Sequence, residues 1–208
     1  MIEAVIGLVG VVVGSVITIS KDVWLSWLER RREGSYSAIR LICILEEYAD
    51  RCIDVVYDDG TVLGLPARRS DDGEYYREAQ VTTPVPLEYT NDISWRSIQK
   101  PLMHRALALS NKARSTDRHI FDANEHACPP DFTEVFEPRQ EGYAQLGLDA
   151  LELADDLRKK FDISVKSRSE LNSDWEPTAF LKATLSTFSQ RRAEALKDIS
   201  NNNSREEL

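Results

Sequence analysis

Three residues in one short stretch could do chemistry together. His119, Asp122 and His126 stand at offsets of three and seven, which a helix turns toward one side, with Glu125 and Cys128 nearby. Imidazole, carboxylate and thiolate are the donor types that hold a divalent transition metal, so this set is a candidate metal site. Arg114 precedes His119 with four residues between them. The pair joins a permanent cation to a side chain that can give or take a proton, which makes it a candidate catalytic pair. A polar, solvent-facing helix surface explains the same residues with no site at all. The chain holds no G-x-S-x-G elbow, no Gly-rich phosphate loop and no H-E-x-x-H, the signatures that would fix a nucleophile, a nucleotide or a zinc. No cofactor is expected.

The run from Arg114 to His119, R-S-T-D-R-H, resembles the Arg-x4-His motif of HEPN-type ribonucleases. These are small helical bundles in which an arginine and a histidine from paired protomers act on RNA. The resemblance implies a helical fold and a part in RNA cleavage for Arg114 and His119. Against a nucleic-acid surface stands the net charge of −9, because phosphate binding needs a positive field. The expected function is therefore a membrane-tethered binding or scaffold protein, and the alternative is a membrane-associated effector enzyme, HEPN-like or metal-dependent.

The membrane enters through residues 4–20, AVIGLVGVVVGSVITIS, a run without a charge. As a helix it is about 25 Å long, at the short end of what a hydrocarbon core accepts. Trp24 and Trp27 follow, suited to the interface, and then Arg30, Arg31 and Arg32, where anionic lipid is the expected partner. A cleaved signal peptide would need a basic residue ahead of the run and a small-x-small site behind it, and neither is present. A buried core helix would need cover that a tripeptide cannot supply. Since Lys21, Arg30, Arg31, Arg32 and Arg40 all follow the run and none precedes it, the positive flank places the domain in the cytoplasm and the N-terminus outside, across the inner membrane. Gly7, Gly10 and Gly14 share one face and include a small-xxx-small step, which predicts a homo-oligomer through the anchor.

Behind the anchor the spacing is helical. Within residues 36–57, Ile39, Ile42, Leu45, Ala49, Cys52 and Val56 make one stripe, stopped by Asp58, Asp59 and Gly60. Residues 61–91 hold Gly64, Pro66, Gly73, Pro84 and Pro86 and read as a long Pro/Gly-containing loop, in which short alternating pieces such as TVLGL could pair as a small hairpin. Helix resumes near Ser94, with Pro101 breaking or starting it. Tyr143, Leu146, Ala150, Leu153, Leu157 and Phe161 form the clearest stripe and predict the central helix of the core, separated by Pro138 from a piece carrying Phe132, Val135 and Phe136. Pro177 suits the first turn of a last amphipathic helix.

Cys43, Cys52 and Cys128 are odd in number, and the first two, read on one helix, are too far apart to bridge, so they read as small buried hydrophobes. The expectation is mainly α: a transmembrane anchor with its basic flank at 1–33, a cytoplasmic helical bundle at 34–200 and a disordered tail at 201–208. The run Trp27-Leu-Glu-Arg-Arg-Arg32 and the helix YAQLGLDALELADDLR at 143–158 resemble single-pass bacterial membrane proteins with a cytoplasmic helical domain and no assigned activity. That resemblance implies topology and bacterial origin.

Overall fold

The computed structural model describes residues 2–130, 132–164 and 175–206; of these, the side chains of 2–19, 22 and 199–206 lie outside the description. The described residues form four α-helices, α1 Ile2–Tyr57, α2 Lys100–Asn124, α3 Thr133–Phe161 and α4 Pro177–Glu206. The protein is mainly α, as its apolar spacing predicts.

The longest element, α1, runs for 56 residues without a break, about 84 Å at 1.5 Å per residue. Gly34 does not interrupt it. A Cβ at Gly34 would lie 2.8 Å from the Phe161 ring, so the glycine is where α1 and α3 first touch. From there Ala38, Leu41, Leu45, Tyr48, Cys52 and Val55 are buried at helical spacing. Ile42, Ala49 and Val56 flank that stripe as the sequence suggests, but Ile39 faces outward, 46% exposed. Ahead of Gly34 every described side chain from Ser20 on is exposed except the half-buried Leu28.

Among the described residues no helix is long and apolar enough to cross a membrane. The expected span at 4–20 falls on helix residues whose side chains, Ser20 excepted, lie outside the description. Gly7, Gly10 and Gly14 are among them. The transmembrane expectation therefore gains no support from the fold.

One boundary differs from the sequence reading, and two features settle alternatives it left open. Pro101 starts α2, one of the two roles its position offers, since a first-turn proline forfeits no intrahelical bond. Pro138 lies inside α3 and does not divide it: the ring removes one amide near the N-terminal end, and Arg139 and Gln140, just beyond it, are tied to Asp58. In the 61–91 stretch, TVLGL folds back on itself, β1 Thr61–Val62 pairing with β2 Leu65–Pro66. Leu63 and Gly64 both take positive φ, 53° and 79°, the backbone of a tight two-residue hairpin turn. A second hairpin joins β3 Arg68–Arg69 to β4 Tyr75–Tyr76.

The core lies along α3, which packs against α1, α2 and α4. Tyr143, Leu146, Ala150, Leu153 and Leu157 are all buried, so the central helix is the one the stripe names. Cys52 is fully buried, and burial pushes its thiol up. Cys43 and Cys128, by contrast, are exposed; Cys43 follows the buried Ile42 by one residue and so turns outward by about 100°.

Candidate binding cleft

Two polar features stand on this scaffold. The first is a buried ion pair that fixes the end of α1 to α3. Asp58, one residue past α1, and Arg139 of α3 meet at 2.9 Å with side chains 2% and 4% exposed. Asp58 Oδ2 also accepts the amides of Gln80 at 2.8 Å and Val81 at 2.9 Å, and Oδ1 accepts that of Gly60 at 3.1 Å. Arg139 donates further to the Val81 carbonyl, and Gln140 Nε2 to the Asp58 carbonyl at 3.1 Å. Burial alone would raise the Asp58 carboxyl, but the Val81 and Gly60 amides and the Arg139 guanidinium outweigh it and hold it below the usual range. Both carboxylate oxygens and both terminal guanidinium nitrogens have partners, so this is a clasp that positions α3 and the 58–81 loop.

With α3 so held, α3 together with α2 and α4 forms the second feature, an open cleft of about 910 Å³. Leu146, Leu185, Phe188 and Pro138 supply apolar lining. Gly142 lets α2 come close, because a Cβ there would sit 2.5 Å from Thr116 Cγ2. Charges around the cleft are paired across helices: Lys112 to Asp149 at 2.6 Å, Arg191 to Glu137 at 3.6 Å, and Arg192 to Glu141. The volume falls in the range of ligand pockets, and most of the lining residues, Ser115, Thr116, His119 and Gln145 among them, are polar or charged.

His119 lines this cleft. Arg114 does not: five residues along a helix turn a side chain by about 140°, and its Nη1 instead donates to Asn111 at 3.1 Å. Asp122 and His126 are exposed, and α2 ends at Asn124, so His126 no longer shares a helix face with His119. Among the described residues no group of three His, Cys, Asp or Glu side chains is placed to hold a metal ion. Arg30, Arg31 and Arg32 are exposed, with the Arg31 guanidinium 5.5 Å from the Trp27 ring centre.

Sequence reasoning missed both Asp58, taken only as a helix stop, and Arg139. A signal for the second exists. Phe136, Arg139, Tyr143, Leu146 and Ala150 alternate three and four apart, which places a guanidinium in the apolar register, and an arginine there requires a buried acceptor. Its partner lies 81 residues away, and nothing local names it. Comparison with protein families, with curated proteins and with solved structures finds no match.

Proposed function

We propose that the chain is a membrane-tethered binding protein, anchored through residues 4–20, whose cytoplasmic domain takes the apolar side of a protein segment in the cleft between α2, α3 and α4. The cleft carries this reading. Pro138, Leu146, Leu185 and Phe188 give it an apolar share of its lining, and Lys112, Arg191 and Arg192 are each engaged by a carboxylate. The anchor rests on the uncharged run, on the exposed rings of Trp24 and Trp27 after it, and on Arg30, Arg31 and Arg32, which suit an anionic headgroup layer.

Two measurements test the halves separately. Membranes washed at alkaline pH should retain the chain. Val9→Arg with Val12→Arg should release it, since each charge in a span costs roughly 2.5–3.5 kcal/mol; full retention of the variant sinks the anchor. For the cleft, whatever copurifies with the intact protein from native membranes should be lost with Leu185→Glu and kept with Phe121→Glu, an exposed ring outside the cleft. Equal recovery from both variants sinks the binding reading.

The placement of His119 in the cleft favours one second reading, an effector enzyme acting on RNA. If it holds, purified protein should cleave RNA and His119→Ala should lose the activity. No cleavage by the parent ends it.

A further inference from the structure

We propose that the start of α3, residues 133–142, is a conformational switch that couples the Asp58 clasp to the cleft. It is helical through Pro138 while the clasp is closed, and it parts from the rest of α3 at Pro138 when the clasp opens. Local sequence supports this start poorly. Phe132 caps it at a φ of 49° with no side-chain hydrogen bond. Pro138 lies inside the helix, where it has no amide to give the Glu134 carbonyl and its ring crowds that same carbonyl. Gly142 follows about one turn later, the residue with the most backbone freedom to lose. Glu134, in the first turn, suits the helix dipole and replaces none of what is missing.

Contacts from elsewhere hold the segment, and they come from both features. On the clasp side Arg139 reaches Asp58 at 2.9 Å and the Val81 carbonyl, Gln140 reaches the Asp58 carbonyl at 3.1 Å, and the Phe136 ring lies against Gly60. On the cleft side Arg191 pairs with Glu137 at 3.6 Å and Arg192 with Glu141, and Glu137, Pro138, Glu141 and Gly142 line the cleft. The next residues are held differently, since Tyr143, Leu146, Ala150, Leu153 and Leu157 are buried in the core. That difference sets the boundary of the switch.

One run of about three turns thus carries the anchor points of both features, and neither set keeps its place if the run unwinds. An element whose equilibrium two sites both bias couples them, and the coupling is reciprocal. Asp58 directly follows α1, so a displacement of the end of α1 reaches the cleft wall by this route. That the switch regulates binding rests on the cleft being the binding site; the motion itself does not.

Hydrogen exchange on the full chain reads the motion with no ligand present. In the parent, the amides of 139–142 should exchange faster than those of 143–157, because they open locally while the core amides await a larger unfolding. Pro138→Ala supplies the missing amide and should slow 139–142 by about tenfold or more. Arg191→Ala with Arg192→Ala removes two exposed ion pairs and leaves the core in place. It should speed exchange at 139–142 by roughly two- to fivefold, and by the same order at the Gln80 and Val81 amides, which bond Asp58 on the clasp side. A rim that only tied α4 to α3 would leave Gln80 and Val81 unmoved. Exchange at 139–142 as slow as at 143–157 in the parent, no slowing with Pro138→Ala, or no change at Gln80 and Val81 in the double variant overturns the switch. Equal recovery of a partner from Leu185→Glu and Phe121→Glu would instead sink the binding reading and leave the exchange results standing.

Discussion

Arg139→Met should lower the thermal midpoint of the domain by about 10 °C, because it leaves the Asp58 carboxylate buried without a counter-charge, a loss of roughly 3–5 kcal/mol. The side chains of the pair are 4% and 2% exposed, so solvent screening does not soften the effect as it would for the cleft pairs. Asp58→Ala should cost more than Arg139→Met. It strands the guanidinium and also the amides of Gly60, Gln80 and Val81, whereas Arg139→Met leaves those three bonds in place. Equal losses in urea unfolding would mean that the ion pair alone, and not the loop amides, carries the clasp.

The same carboxylate sets an acid limit. Its folded pKa lies below the ordinary value, so the folded state binds the proton less readily than the unfolded chain. The stabilisation is complete above the unfolded value of about 3.9 and fades as pH falls through the depressed folded one. Unfolding free energy of the parent should drop steeply in that window, and Asp58→Asn should flatten the slope there.

Why the sequence discloses the helices and withholds the site follows from range. Tyr143 to Leu157 reads correctly because burial of a helix writes a three-four period into neighbouring residues. Pro177 reads correctly because a first-turn proline is a local matter. Asp58 with Arg139, and the cleft lining drawn from α2, α3 and α4, depend on residues dozens of positions apart, which no local period encodes. Pro138 misled for the opposite reason: the local rule of a helix break is real, but the ties from Arg139 and Gln140 to Asp58 override it. His119, Asp122 and His126 share a face only if the helix continues, and α2 stops at Asn124.

Gly60→Ala should be the most damaging glycine substitution in the 58–81 loop, by two separable effects. Its φ of +74° puts any L side chain in the left-handed region, at about 1–2 kcal/mol. The new Cβ would also sit 2.3 Å from Phe136 Cζ and 2.9 Å from Arg77 Cβ, and forcing a ring aside in a packed site costs about 1–3 kcal/mol more. Gly64 isolates the first effect: its φ is +79° and nothing lies within 4 Å of its added Cβ, so Gly64→Ala should lose only the backbone share, about 1–2 kcal/mol. Trimming the ring isolates the second. Phe136 is buried, so Phe136→Leu alone is destabilising, but it removes the atoms that the added methyl group would strike. In a urea double-mutant cycle, Gly60→Ala with Phe136→Leu should therefore be more stable than the two single losses added together, by roughly 0.5–3 kcal/mol. Strict additivity would place the whole cost of Gly60→Ala in its backbone angle and remove the contact with Phe136 as a reason for the glycine.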